Sequence, residues 1–215
     1  MRFGVLGTGM VGRAIATKLA GLGHAVTMGS RSPDNQRAVE WAAVAGEGAA
    51  NGTFADAAAA GEIVFNCTAG LCSLEALEAA GAGNLEGKVL IDVSNPLDFS
   101  RGMPPTLAIS DTSLGEKIQE RFPAARVVKT LNTMNCDVMV EPGSVPGSHA
   151  VFICGNADSA KSDVRSLLGS FGWPDQSILD LGDISAAQGT ELFASLWLRL
   201  YGSLGTGRFN VAVMR

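Results

Sequence analysis

The chain has 215 residues, of which 47% are apolar and 17% charged, and its formal net charge is −5. That length suits one domain of about 150 residues with a small appendage, or a single enlarged domain, and the composition supplies a sizeable core. The charge excludes the basic surface that nucleic acid or an anionic membrane needs, and no apolar run reaches the roughly 18 residues of a membrane span.

The first strand is predicted at residues 2–6, within Arg2-Phe3-Gly4-Val5-Leu6-Gly7-Thr8-Gly9-Met10-Val11-Gly12. A helix follows from Val11 to Leu22, with apolar residues at 11, 14, 15, 19 and 22. This is G-x-G-x-x-G with a strand before it and a helix after it, the context a dinucleotide site requires. Gly7 permits the tight turn, Gly9 lets the backbone approach a pyrophosphate, and Gly12 lets the helix pack on the strand. The helix N-terminus then offers unpaired N–H groups to the phosphates. Thr8, Met10 and Val11 complete the expected contact loop.

The second strand is Ala25-Val26-Thr27-Met28, followed by Gly29-Ser30-Arg31-Ser32-Pro33. An NAD site places an Asp or Glu at this strand end, to hold the ribose diol. None stands here. Ser30 and Ser32 bring hydroxyls and Arg31 brings a planar fork of donors suited to phosphate. The pattern predicts a pocket for the 2′-phosphate of NADP, with added charge from Arg37 on the next helix.

Further elements alternate. Helices are predicted at residues 36–46, 54–61, 73–81, 113–122, 157–171 and 186–202, the third with Ser73 as N-cap. Strands are predicted at 49–53, 62–67, 88–93, 125–131, 149–154 and 178–182, and a loop rich in Gly, Met and Pro from Phe99 to Pro105. Continuous apolar strands alternating with helices predict an α/β fold: a doubly wound, mostly parallel Rossmann sheet. Residues 1–150 are expected to form the NADP-binding domain. Residues 151–215 are expected to form a small C-terminal α/β lobe that completes a substrate crevice.

Ligands sit at the carboxyl ends of such strands. That brings Thr68-Ala69-Gly70, Asn95-Pro96 and Thr133-Met134-Asn135 to the edge that carries the glycine loop. Thr68 to Gly70 should border the adenosine side, and Asn95 and the 132–135 turn the nicotinamide. The four cysteines, at 67, 72, 136 and 154, form no C-x-x-C, and only two histidines are present, so no zinc site is expected. No leader pattern precedes the first strand, so a cytoplasmic protein is expected. No Ser/His/Asp group or paired carboxylates suggest catalytic side chains, and none is assigned. The apolar helix over 186–202 leaves a face suited to a homodimer contact.

Gly7-Thr8-Gly9-x-x-Gly12, Gly29-Ser30-Arg31, Asp92-Val93-Ser94-Asn95-Pro96-Leu97 and Val127 to Thr133 together resemble the NADPH-dependent coenzyme F420 reductases. The resemblance spans nearly the whole chain. It implies an oxidoreductase that passes a hydride between NADPH and coenzyme F420 as co-substrate. It also implies Thr8 to Val11 at the pyrophosphate, Ser30 and Arg31 at the 2′-phosphate, Ala69 and Gly70 near the adenine-side ribose, and Thr133 with Met134 near the nicotinamide. The residues themselves leave two alternatives: NADPH-dependent reduction of a flavin, quinone or small carbonyl, or a non-catalytic NADP-binding redox sensor.

Overall fold

Short apolar runs, buried on both faces, form one sheet of eight strands in the computed structural model, which describes residues 1–103, 105–108 and 111–214. In chain order the strands are β1 (Arg2–Leu6), β2 (Ala25–Ser30), β3 (Ala49–Thr53), β4 (Ile63–Asn66) and β5 (Val89–Asp92). A separate antiparallel pair follows, β6 (Leu97–Asp98) and β7 (Thr106–Leu107). Then β8 (Arg126–Thr130), β9 (Val151–Cys154) and β10 (Ile178–Asp180) return to the sheet. Pro104, inside the loop expected from Phe99 to Pro105, lies outside the described residues.

The sheet order is β10-β9-β8-β5-β4-β1-β2-β3. After β1 the chain builds outward to β2 and β3, then crosses back to β4. The crevice for a ligand opens at that reversal. β1 to β5 and β8 run parallel, while β9 pairs antiparallel with β8 and β10 runs parallel to β9. The C-terminal segment therefore extends the nucleotide sheet with two reversed strands, and a division at residue 150 falls between sheet neighbours.

Helices cover both faces. On one lie α1 (Met10–Gly21), α2 (Gln36–Val44), α7 (Cys136–Val140) and α8 (Asp158–Phe171), packing Ile15, Leu19, Trp41, Met139, Val164 and Phe171 against Phe3, Val5, Phe65 and Ile91. On the other lie α3 (Phe54–Ala60), α4 (Ser73–Ala80), α5 (Ala82–Leu85), α6 (Leu114–Arg121) and α9 (Ala187–Leu204), whose core includes Ala57, Leu77, Leu85, Ile118 and Ala187. Strand residues divide by alternation, Phe3 and Val5 to the first face and Leu6 to the second. α3 sits so close to β1 that a Cβ on Gly4 would lie 2.2 Å from the Ala57 carbonyl oxygen.

One local expectation changes, and one element is added. Ser73 is the first residue of α4 and does not cap it; Cys72 holds the N-cap position, and the buried Ser73 hydroxyl joins a tertiary network. The 132–135 turn leads directly into α7, with the Asn135 side chain accepting from the Asp137 N–H at 2.9 Å.

Gly4→Ala should destabilise the protein by at least the roughly 1–3 kcal/mol typical of overpacking. Urea unfolding measures it, and an unchanged midpoint would contradict this backbone-to-helix contact.

Candidate functional site

The glycine turn is shaped by three different demands. Gly7 has φ +116, and a Cβ there would meet the Cys67 carbonyl oxygen at 2.7 Å. A Cβ on Gly12 would sit 2.1 Å from the Gly7 carbonyl oxygen, so α1 can start only because both residues are glycine. Gly9 is different: a Cβ there meets nothing within 4 Å. Its bareness serves no contact within the fold, as expected where a pyrophosphate must approach. No side chain caps α1. Its first N–H groups stay available to phosphate oxygens.

The end of β2 fits an extra phosphate. Arg31 is exposed and makes no hydrogen bond or ion pair among the described residues. Ser30 is buried; its hydroxyl donates to the Ser32 carbonyl and accepts the Ser32 N–H at 3.2 Å. It therefore shapes the loop that presents Arg31, while Ser32 remains exposed. Arg37 does not join them. It lines a neighbouring hollow with Thr8, Gly9, Met10, Arg13 and Asn135.

Two clefts meet at Cys67, Thr68, Ala69 and Cys72. The first, about 420 Å³, runs from Gly7, Thr8 and Gly9 past Ser30, Arg31 and Ser32 to Phe54, Glu75 and Ala79. The second, about 480 Å³, lies over Val93, Ser94 and Asn95 and beside Val11, Gly70 and Met134. Its far wall is Ala194, Trp197 and Leu198 of α9, and its rim is Leu71, Leu97 and Phe99. Among the described residues the lining holds no carboxylate, imidazole, ammonium or guanidinium. Trp197 stacks with Tyr201 and Phe209, at centroid distances of 5.4 and 5.5 Å, so the C-terminal tail braces that wall.

Beneath the second cleft lies a buried polar network. β4, β5 and β8 are in register, so Asn66 pairs with Asp92 and Asp92 with Lys129 on one sheet face. Asn66 donates to Asp92 Oδ1 at 2.8 Å, and the Ser94 hydroxyl donates to the same oxygen at 2.6 Å. Thr68, which borders both clefts, donates to Asn66 Oδ1 at 2.7 Å. Lys129 Nζ donates to Asp92 Oδ2 at 2.7 Å and to the Ser94 carbonyl at 2.6 Å, and pairs with Glu191 Oε1 at 2.7 Å. Burial favours the neutral amine, but the two carboxylates outweigh it and hold Lys129 above the ordinary lysine range. Lys129 is thus a fixed cation and a poor proton donor. Burial, with the Asp92 charge adding to it, likewise raises the Cys67 thiol far above its usual range, so Cys67 is inert.

The turn after β8 carries the strain typical of a site. Leu131 has φ +63, the one non-glycine residue with positive φ among those described. This turns Asn132 toward Asn95. Asn95 Nδ2 donates to the Asn132 carbonyl at 2.7 Å, and Asn132 Nδ2 donates to Asn95 Oδ1 at 3.0 Å. Pro96 lies behind Gly70, where a Cβ would come within 2.7 Å of its Cα. Thr133 is buried, and its hydroxyl has no partner within the described residues.

Of the predicted residues, Gly7, Thr8, Gly9, Ser30, Arg31, Ser32, Thr68 and Ala69 line the first cleft, and Val11, Thr68, Ala69, Gly70, Asn95 and Met134 line the second. Met10, Arg37 and Asn135 face the neighbouring hollow, and Gly12, Pro96 and Thr133 stand behind the lining. Sequence reasoning expected the C-terminal lobe to complete the crevice without singling out α9 as its wall, and it missed Leu71 and Phe99 as rim and the Asn66–Asp92–Lys129–Glu191 network. The last left a signal: the runs ending at 66, 92 and 129 each place a polar residue at an equivalent position.

Residues 2–96 match the family of coenzyme F420-dependent NADP oxidoreductases. A solved structure of a candidate F420-dependent NADP reductase from Arthrobacter sp. FB24 is 50% identical, with TM-score 0.94 and full coverage of both chains. The rat metalloreductase STEAP3 is 31% identical over 196 residues, 88% of this chain; the chain spans only 36% of that protein's length. A reductive aminase from Aspergillus terreus, solved with NADPH and ethyl levulinate, is 22% identical with TM-score 0.64, covering 95% of this chain and 62% of its own, a likeness of fold alone.

Two substitutions probe the cofactor half. Charge-assisted hydrogen bonds contribute about 1.5–3 kcal/mol, so Arg31→Ala should weaken NADPH about tenfold to a hundredfold and leave NADH nearly unchanged, by titration calorimetry. Equal affinity of the unmutated protein for both cofactors would sink this assignment. Gly9→Val fills open space, so the fold should persist while NADPH binding is lost. Undiminished binding would place the pyrophosphate elsewhere.

Proposed function

The chain belongs to the family of F420-dependent NADP oxidoreductases, and on that premise we propose that it transfers a hydride between NADPH and coenzyme F420. The observation that carries this reading is the second cleft: mostly apolar and, among the described residues, free of charged side chains. A planar aromatic acceptor suits such walls. A small carbonyl or imine would call for a positioned proton donor, and Lys129 is held protonated below the floor.

Thr8, Gly9, Met10 and Val11 would hold the pyrophosphate through backbone N–H groups. Arg31 and Ser32 would hold the 2′-phosphate. Asn95 and Asn132, locked to each other, fix the floor and turn against which the nicotinamide rests, and Met134 and Val11 exclude water. When bound, NADPH supplies the hydride. In the direction of F420 reduction, the hydride brings the electron pair and solvent supplies the one proton that balances the reduced deazaflavin. The protein's part is orientation at near-contact distance. Arg101, two residues after Phe99, and Arg208, adjacent in sequence to Phe209, are cations suited to the anionic tail of F420.

A homodimer belongs to the same proposal. Leu192, Leu196 and Leu204 on α9 are 48%, 53% and 55% exposed, an apolar strip that a second copy would cover. Sedimentation at micromolar concentration should then report twice the 22.1 kDa chain mass. A species of the single chain mass would reject it.

A steady-state absorbance assay with NADPH decides the acceptor. F420 should be reduced faster than FMN, a quinone or a small aldehyde. Rapid reduction of one of those without F420 turnover would overturn the acceptor assignment and leave the NADP half standing. Leu198→Trp, placed in the lining, should block turnover while sparing NADPH affinity. Thr133 is unsuitable for such bulk because it is buried.

A further inference from the structure

We infer that Lys129 and Glu191 form a strut that sets the separation between the floor and the far wall of the acceptor cleft. The inference rests on the reading that this cleft takes the hydride acceptor. An ammonium has three donors, and those of Lys129 go to three places. One goes to the Asp92 carboxylate at the end of β5, one to the Ser94 carbonyl in the loop after it, and one to Glu191 on α9. The first two partners fix the floor, where Ser94 and Asn95 line the cleft. The third fixes the helix that carries Trp197 and Leu198.

Glu191 is bound on its far side as well. Oε2 accepts the Leu114 N–H at 2.8 Å and Oε1 the Gly115 N–H at 3.0 Å, both at the start of α6. α6 and α9 are in close contact there: a Cβ on Gly115 would lie 2.9 Å from the Ala187 Cβ. Beyond Ala194 no residue of α9 is buried. The half bearing Trp197, Leu198 and Tyr201 therefore projects from the body. Its angle is set at its root, within two turns of Glu191, and at its tip by the Phe209 stack. Because all three donors of Lys129 are engaged and all its partners buried, floor and wall cannot shift independently. Hydride transfer is steeply sensitive to the separation of donor and acceptor, with about 1 Å of misplacement able to cost a hundredfold. Lys129 and Glu191 act as positioning residues, since neither lines the cleft.

Glu191→Gln keeps the shape, and its amide oxygen can still accept an α6 N–H, but the charge that holds Lys129 is gone. Glu191→Asp keeps the charge and loses the reach. Three measurements on the full chain separate the outcomes. Amide hydrogen exchange should quicken over residues 194–204 in both variants and stay unchanged over residues 2–22. NADP⁺ affinity by calorimetry should stay within about twofold. Single-turnover transfer from NADPH to F420 should slow at least tenfold in both.

Unchanged exchange over 194–204 would overturn the strut. So would a full transfer rate in Glu191→Asp, which would make charge alone sufficient. Equal loss of NADP⁺ affinity and transfer rate would overturn it too, by indicating general loosening. If the unmutated protein does not reduce F420, the acceptor assignment fails, and the exchange measurement still decides the strut.

Discussion

A buried lysine ammonium, with every proton engaged by the protein, is the constraint around which the cleft is built. Removing such a charge from water costs several kcal/mol, and pairing alone seldom returns it. Here the pairing also answers a backbone demand. The carboxyl edge of the sheet ends in groups with no ladder partner, the Ser94 carbonyl among them. The first turn of α6 likewise has N–H groups that no helix bond can reach. Ser113 and Glu116 close a capping box at its start, and Glu191 takes the next two N–H groups. One cation and two carboxylates thereby satisfy a strand end, a loop and a helix start together.

This explains why the polar row sits where it does. Asn66, Asp92 and Lys129 are the last inward-facing positions of three adjacent strands. Earlier positions on that face, Val64, Leu90 and Val127, pack against helices as ordinary core. The apolar sheet gives way to a polar network only at the edge where ligands lie. Thr68 and Ser94 then carry that network to the cleft surface, so the floor is polar from beneath and bare of charge above.

The parts of the site that depend on local backbone were legible in the sequence. Gly7, Gly9 and Gly12 announce a turn whose geometry is set within six residues, and Arg31 stands where β2 must end. The alternation of strands and helices likewise identifies the sheet. Features that depend on long-range placement were not legible. Ser73 has the residue type and position of an N-cap, yet its hydroxyl is drawn into the tertiary network by Asn66 and Ser94. Continuous apolar runs carry no sign of strand direction, so the reversal of β9 and β10 was hidden. The strands of the β6–β7 pair, two residues each, are too short to show a period. α9 reads as an apolar helix, but nothing within its own residues says that it lands across the cleft from Asn95.

The same contrast separates cofactor from acceptor. The first cleft is framed by the early strands β1, β2 and β4 and their turns, and the stretch that matches the family runs on through the floor of the second cleft to Pro96. The far wall of the second cleft comes from α9, nearly a hundred residues later, and reaches the floor through Lys129. Changes on the cleft face of α9 can therefore alter the size and shape of the acceptor space without disturbing the pyrophosphate turn. Changes at Lys129 or Glu191 cannot be so contained, because they would release the helix and the floor together. A fold organised in this way can keep one hydride donor while its acceptors vary.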